Sequence, residues 1–405
     1  MLFWICLILV VGYLILEKIR LEKSRRTLTW RIHVYGTRGK TGLTLQVISA
    51  LRQSGLKVLG RTTGDAPVLH LPDGGARPQR RWGAPNIHEY MACLNRAADL
   101  GCQALVMECM ALSPENVHKA GEILRPDFTL LTNPRPDHYE SQGPSDEDVV
   151  RTLALSLDQV PAALALADAG APVLRARAEA GGCSLELLEG GDLNPGEQAR
   201  LLTRRLSEKM ALPEPAPEEP DRPAGWPSFQ CLSLENFASF YFLDLYSAND
   251  VLSSRLTLKK ALEGLPAGQS RGLPLVALLS SRADRPLRSQ AFINWFAAEK
   301  PFDLYALAGD HSWYACLAMR RRGLEPLVTA IGPGRARPEV LLRRIRQALP
   351  ATDDGPEIHP GLPAPGSNPE SAPLFALVGL GNAHGYGRLW REFMTKRLKE
   401  KTVCF

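Results

Sequence analysis

Apolar and polar positions change period repeatedly along this chain, and each change marks an element. Ile32, Val34 and Tyr35 read as a short buried strand, and Leu43, Val47, Ile48 and Leu51 then recur at helical spacing. Between them lies a polar, glycine-bearing turn, Gly36-Thr37-Arg38-Gly39-Lys40-Thr41. Lys57 to Gly60 reads as a second strand leading into the loop Arg61 to Asp65, and Val68 to Leu71 with the Pro72-Asp73-Gly74-Gly75 turn suggests a hairpin. Ile87 to Leu100 is a helix by pattern. Ala104 to Met107 is a strand ending in Glu108, and Phe128 to Thr132 is another, ending in Asn133 to His138. Helix and strand patterns alternate from Asp146 to Ala180. Strands alternating with helices predict a parallel sheet flanked by helices. In such sheets ligands bind beyond the carboxyl ends of the strands. Gly36–Thr41, Arg61–Asp65, Glu108 and Asn133–His138 all occupy that kind of position.

The pattern then weakens and restarts. Leu212 to Pro227 is rich in Pro and Glu and reads as an exposed linker. Phe229 to Leu245 is apolar and aromatic, and is expected to form a hairpin completing the first globular unit. Ser247-Ala248-Asn249-Asp250 opens a helix to Leu262, with Asn249 or Asp250 as its cap. A second α/β unit begins near Leu273, with strands at Leu275–Leu279, Leu304–Ala308 and Leu374–Val378, a helix at Gln290–Ala298, and a Pro/Gly-rich loop from Pro350 to Pro373. The expected division is a segment 1–26, a first unit 27–268 and a second unit 269–405.

Met1 to Leu16 breaks every amphipathic pattern: it is an unbroken apolar run without charge. It is slightly short of the roughly 20 residues that span a bilayer. It lacks a basic leader and a small-residue cleavage site, unlike a removed signal peptide. Lys18, Arg20, Lys23, Arg25 and Arg26 follow it directly, which places the C-terminal side in the cytoplasm by the positive-inside rule. The segment is read as a single-pass anchor in the cell membrane. A membrane-surface helix or a buried core helix are the alternatives.

Composition adds little to this. The 405 residues are 45% hydrophobic and 22% charged, as in ordinary globular chains. The net charge is +5, and much of the excess sits behind the apolar run, so nucleic-acid binding is not expected. The eight cysteines form no C-x-x-C and no metal pattern.

A strand feeding a glycine turn at a helix N-terminus is an anion site, because backbone N–H groups and the helix dipole both favour negative charge. Lys40 can reach terminal phosphates, and the Thr41 hydroxyl can ligate Mg²⁺. The match is to a shortened P-loop, G-x-x-G-K-T, since Val34 stands where the longer pattern has glycine. An ordinary βα turn with an exposed lysine is the plain alternative. Glu108 ends a wholly apolar strand, and a buried carboxylate is costly unless paired or metal-bound. Glu108 with Thr41 around one Mg²⁺ on ATP is coherent; pairing with Arg61 is the alternative. His138 is a metal or phosphate ligand or a structural hydrogen bonder. Arg282, Asp284 and Arg285 end a strand of the second unit, either facing phosphates or as a solvated loop. Gly379-Leu380-Gly381 with Gly385 and Gly387 lacks the G-x-G-x-x-G spacing and the acidic partner of a dinucleotide site. No G-x-S-x-G or H-E-x-x-H occurs.

H-V-Y-G-T-R-G-K-T, G-R-T-T-G-D, L-P-D-G, P-N-I-H-E, M-E-C-M-A-L, L-T-N-P-R-P-D-H, S-A-N-D, S-R-A-D-R-P-L-R, A-G-D-H and V-G-L-G-N-A-H-G-Y-G follow one another in that order. Together, from about Arg31 to Phe393, they resemble the ATP-dependent ligase subunits of poly-γ-glutamate synthases, the capsule-biosynthesis branch of the Mur ligase superfamily. The N-terminal apolar segment fits too. The resemblance implies an α/β fold: a P-loop Mur-ligase-like central domain with a parallel sheet, a smaller Rossmann-like α/β C-terminal domain, and an N-terminal membrane helix. It implies an amide ligase in which ATP converts a carboxylate to an acyl phosphate that an amine then attacks. By resemblance Gly36, Thr37, Arg38, Gly39, Lys40 and Thr41 bind ATP, and Thr41 and Glu108 hold Mg²⁺. His138 matches a second-metal histidine, Asn249 an adenine-side asparagine, and Arg282 and Asp284 a charged loop of the last domain. Lys40, Glu108 and His138 are the expected catalytic set. Glutamate or a γ-glutamyl chain is the expected substrate, with other membrane subunits of a synthase or export complex as partners. Asp146 to Gln159 contains no lysine to match the carbamoylated residue common in Mur ligases, and Tyr139-Glu140 stands where Leu-Asp is frequent. No separate nucleotide-sugar domain is evident. A membrane-tethered P-loop ATPase that energises assembly or export, and a nucleotide-binding assembly subunit, are the competing functions.

Overall fold

The computed structural model describes residues 1–63, 67–79, 86–110, 113–133, 142–143, 145–158, 160–167, 170–190, 193–216, 227–234, 237–248, 250–265, 273–325, 327–328, 338–349, 373–383 and 385–401. The chain divides into two compact units, Met1–Gly225 and Trp226–Phe405. His138, Asn249 and most of the two expected Pro-rich loops lie outside the described residues.

The first unit contains α1 (Leu2–Thr27), β1 (Trp30–Tyr35), α2 (Lys40–Gln53), β2 (Val58–Thr62), β3 (Val68–His70), β4 (Ala76–Pro78), α3 (His88–Asp99), β5 (Ala104–Glu108), α4 (Pro114–Leu124), β6 (Phe128–Leu131), α5 (Asp146–Ala154), β7 (Ala162–Leu166), α6 (Ala171–Gly181), β8 (Ser184–Leu188) and α7 (Pro195–Lys209). Its eight strands lie in the order β4-β3-β2-β5-β1-β6-β7-β8. The sheet is parallel from β2 to β8, and β3 and β4 add an antiparallel edge, so it is mixed rather than wholly parallel. Alternation decides the layers. Ile32, Val34 and Val106 face Leu43, Val47 and Leu51 of α2 and Leu202 and Leu206 of α7. Tyr35, Leu105 and Met107 face the other way, onto Leu94 of α3, Val117 of α4, Leu153 of α5 and Leu174 of α6. The strands are apolar on both faces because both faces are covered by helices.

The second unit contains β9 (Gln230–Leu234), β10 (Phe237–Asp244), α8 (Val251–Glu263), β11 (Leu275–Ser281), α9 (Pro286–Glu299), β12 (Leu304–Gly309), α10 (Ser312–Arg320), β13 (Leu327–Val328), α11 (Pro338–Ala348), β14 (Ala376–Gly381) and α12 (Tyr386–Lys401). Its six-stranded sheet runs β13-β12-β11-β14-β10-β9, with only β9 antiparallel. Phe292 and Phe296 pack on one face, and Ile345 and Trp390 on the other. The aromatic hairpin expected to complete the first unit is β9–β10, and it pairs with β14 in this second sheet. The compact division therefore falls at 225/226 rather than 268/269. The hairpin is apolar enough for either core, and the parallel register of Tyr241–Asp244 against Ala376–Gly379 decides which one it joins. Of the two cap candidates, Asp250 caps α8, its Oδ1 accepting from the Ser253 N–H at 2.7 Å.

The N-terminal segment is one unbroken helix. Its 26 residues correspond to about 39 Å at 1.5 Å per residue, longer than a bilayer's hydrocarbon core. Mean hydropathy reaches 2.3 over its most apolar window, none of which is buried in the protein. Its last turns behave differently, because they dock on the first unit. The Ser24 hydroxyl meets Asn95 Oδ1 at 2.7 Å. Arg25 is buried and reaches the end of α4: Nε donates to the Ile123 carbonyl at 2.9 Å, and Nη2 donates to the Glu122 and Ile123 carbonyls at 2.7 Å. The last carbonyls of a helix lack partners within it, and here a guanidinium supplied by another helix satisfies two of them.

Arg25→Ala is expected to lower unfolding stability by about 1–3 kcal/mol, because two buried carbonyls lose their donor. Arg25→Lys is expected to recover only part of this, since a single ammonium does not reproduce the fork. Urea titration of the detergent-solubilised chain measures both.

Candidate functional site

The site of the first unit is built on the carboxyl edge of its sheet. β1 lies at the centre, so the turn that follows it emerges between the ends of β5 and β6. Gly36 has φ +119°, and a Cβ there would come within 2.1 Å of Thr132 Oγ1, so both conformation and space demand glycine. Gly39, at φ +78°, is the N-cap of α2. The turn is clamped from β6: the Thr37 N–H donates to the Asn133 carbonyl at 2.9 Å, and the Arg38 N–H donates to Asn133 Oδ1 at 3.0 Å. Asn133 Nδ2 donates back to the Arg38 carbonyl at 3.3 Å. Lys40 Nζ donates to the Gly36 carbonyl at 2.7 Å and the Thr37 carbonyl at 3.3 Å, holding the ammonium over the turn.

Glu108 is 2% exposed. Thr41 Oγ1 lies 3.1 Å from both of its carboxylate oxygens, and the Thr63 N–H donates to Oε2 at 2.8 Å. Both donors are neutral, and among the described residues no cation pairs with this carboxylate. The ion pair with Arg61 considered from sequence does not form. Arg61, fully buried, turns instead to Glu89, and its Nε donates to Gln79 Oε1 at 2.7 Å. The buried Glu108 carboxylate and the Thr41 hydroxyl are a pair of hard oxygens of the kind that suits a divalent cation. The residues present fit an Mg²⁺-like ion, which Thr41 and Glu108 could hold.

The structure thus brings Gly36–Thr41 and Glu108 together, whereas His138 and Asn249 lie outside the described residues. Arg282 and Asp284 belong to the second unit, at the carboxyl end of β11. There they pair with each other, Nε to Oδ1 at 2.9 Å and Nη2 to Oδ2 at 2.7 Å. The glycine-rich stretch after β14 is a strand–turn–helix braced by Asn382. Its Nδ2 donates to the Ser280 carbonyl at 2.9 Å, and its Oδ1 accepts from Arg288 Nη1 at 2.7 Å. Sequence reasoning passed over Asn133, Thr63 and Asn382 as partners. The strand-end position of Asn133 was the available signal, while the Thr63 contact runs through its backbone and leaves no trace in residue type.

Residues 232–397 match the family model of the poly-gamma-glutamate synthase CapB C-terminal domain. A 153-residue stretch is 31% identical to PGA synthase CapB of Bacillus subtilis (strain 168), covering 37% of this chain and 38% of that protein. The match thus spans little more than a third of the relative. Two solved structures share the fold at low identity. MurF ligase from Thermotoga maritima in complex with ADP aligns at TM-score 0.55 and 12% identity, over 95% of this chain and 84% of that one. A bifunctional folylpolyglutamate synthase/dihydrofolate synthase with Mn, AMPPNP and L-glutamate bound aligns at TM-score 0.54 and 14% identity, over 92% and 94%. The chain has the Mur-ligase-like α/β fold.

Glu108→Gln keeps size and hydrogen bonding and removes only the charge. It is expected to raise the Mg²⁺ concentration for half-maximal nucleotide use by about tenfold or more, with little change in melting temperature, because no cation is left behind. Glu89→Gln is the contrasting case, since it strips the buried Arg61 of its carboxylate and is expected to cost about 3–5 kcal/mol. Mg²⁺ titrations and thermal melts of the two variants separate the roles; a large melting loss in Glu108→Gln would refute the ligand assignment.

Proposed function

We propose that this chain is an ATP-dependent amide ligase that joins glutamate units into a γ-linked polymer, ADP and phosphate being the by-products. The arrangement of Thr41 and Glu108 beside the phosphate turn is the observation that carries this reading, and the likeness to PGA synthase CapB supports glutamate as the substrate. The ADP and AMPPNP of the two fold neighbours fit the same nucleotide role here.

The backbone N–H groups of 36–41 and the N-terminus of α2 would receive the β- and γ-phosphates. Lys40 would leave its two carbonyl partners and lie along the terminal phosphates. Thr41 and Glu108 would hold Mg²⁺, which when bound neutralises charge on the phosphates. The donor carboxylate attacks the γ-phosphorus, the bond to the ADP oxygen breaks, and an acyl phosphate forms. The amine of the next unit then attacks the acyl carbon, and phosphate leaves with the bonding pair. Water must be kept from the acyl phosphate. His138 is assigned to a second metal or the phosphate, Asn249 to the adenine side, and Arg282 and Asp284 to the nucleotide from the second unit. The apolar helix is assigned to the cell membrane as a single-pass anchor with both units cytoplasmic. Other membrane subunits of a synthase or export complex are its expected partners.

The test is an amino-acid panel with ATP and Mg²⁺, scored for ADP release and for product mass. The expected outcome is ADP release that depends on glutamate and a product mass rising by glutamyl units, with Lys40→Ala at least about 100-fold slower. ADP without amide would favour the tethered ATPase; normal turnover in Lys40→Ala would remove the phosphate-site assignment.

A further inference from the structure

The last turns of α1 lie along α3, and their contacts fix the direction of the rest of the helix. Arg20 Nη2 meets Asp99 Oδ2 at 3.0 Å, and the Ser24 hydroxyl meets Asn95 Oδ1 at 2.7 Å, so the two helices run antiparallel. α3 starts beside the carboxyl end of β5, where the Tyr90 hydroxyl accepts from the Met110 N–H at 3.4 Å. It ends just before β5 begins at Ala104. It therefore descends from the carboxyl edge of the sheet to the amino edge. Followed toward its own N-terminus, α1 leaves the unit past that amino edge. Arg25 agrees with this direction, since it caps the end of α4 just before β6 begins at Phe128.

Arg20 is the outermost of these docking contacts, and the uncharged run ends four residues earlier, at Leu16. Four residues of helix rise about 6 Å. The headgroup layer on each side of a bilayer is about 5–7 Å deep. Met1 to Leu16 rises only about 24 Å against a hydrocarbon core of about 30 Å, which draws the body closer still. With α1 across a membrane, the amino edge of the first sheet is thus held at the depth of the headgroups. The Gly36–Thr41 turn lies at the far end of β1, about 20 Å beyond. The charge of the amino edge matches this placement. Lys18, Arg20, Lys23 and Arg26 of α1 are exposed, as are Lys57 and Arg125 of the body. Lys57 Nζ lies 3.9 Å from the place of a Cβ on Gly101, at the end of α3, and Arg125 lies 3.6 Å from Glu22. Against these six cations stand Glu17, Glu22 and Asp99. Glu22 is engaged by Arg25, Arg26 and Arg125, and Asp99 by Arg20. The edge keeps a positive excess.

We propose that the amino edge of the first sheet is a docking surface for anionic phospholipid headgroups, which seat the unit on the bilayer with its phosphate turn facing away. The proposal rests on the reading of α1 as a membrane span. Basic side chains near an anionic bilayer are attracted within a screening length of its surface, about 8 Å at physiological salt. The rise from Leu16 to Arg20 falls inside that distance, so the docking of α1 on α3 and α4 brings Lys57 and Arg125 to the surface along with the basic turns of the helix.

The experiment reconstitutes the full chain in vesicles of phosphatidylcholine and of a phosphatidylcholine–phosphatidylglycerol mixture. A water-soluble acylating reagent then modifies the outward-facing lysines, and mass spectrometry reads the rate at each. Lys57 is expected to react at least about fivefold more slowly in the mixed vesicles, the factor that one basic residue gains near an anionic surface. Lys40 is expected to react at the same rate in both. Salt at about 1 M, where the screening length is about 3 Å, is expected to abolish the Lys57 difference. The exposed pair Lys23→Glu and Arg26→Glu is expected to abolish it as well, at an unchanged melting temperature. Equal Lys57 rates in the two vesicles, slowing of Lys40 to match Lys57, or persistence of the effect in the charge-reversed chain would overturn the proposal. Any of these with the chain still held in phosphatidylcholine vesicles at high salt would leave the membrane span standing. Release of the chain from those vesicles by salt would remove the span, and the proposal with it.

Discussion

A carboxylate held out of water with, among the described residues, only a hydroxyl and an amide to receive it is the constraint on which the first unit turns. Glu108 ends β5, a strand flanked by β1 and β2 and covered on both faces by helices, and its carboxylate is buried there. Desolvation is costly for a charge there, and Thr41 and Thr63 offset part of it without cancelling it. The same burial that makes the carboxylate expensive makes it a strong partner for a cation. Arg61, one strand away and itself fully buried, would neutralise it, but Glu89 and Gln79 hold that guanidinium elsewhere. The fold thus keeps the Arg61 guanidinium occupied with Glu89 and Gln79 and away from the Glu108 carboxylate.

The Gly36–Thr41 turn is held in place for a related reason. Gly36 lets the chain pass within reach of Thr132, and Asn133 then clamps two successive residues of the turn through both its backbone and its side chain. An anion site made of backbone N–H groups works only if those groups already point at the ligand. Here Asn133, just past the neighbouring strand, fixes the conformation of the turn.

At the other end of the unit, Arg25 joins the apolar helix to the globular body. The helix is continuous through Thr27, and its last turns are fixed to α3 and α4 by Ser24 and Arg25. A span embedded in a bilayer would therefore set both the height and the orientation of the first unit, as a strut rather than a flexible leash.

Much of this was legible in the residues. Period changes located β1, α2, β5 and β6, because buried strands and amphipathic helices carry their own spacing. That the glycine turn, Lys40, Thr41 and Glu108 come together was readable because strand ends of a parallel sheet share one edge. Other features depended on contacts far apart in sequence. The aromatic hairpin at 230–244 suits either core by composition, and only its pairing with β14 assigns it to the second unit. Glu108 and Arg61 are plausible partners by charge, and only the position of Glu89 on α3 separates them. Arg25 looked like one basic residue among five after an apolar run, yet its side chain caps a helix almost a hundred residues away. Local spacing determined which elements form and which edge gathers the strand-end residues. Which charge meets which was decided by tertiary structure, because an ion pair or a cap depends on distance in space and leaves no period in the chain.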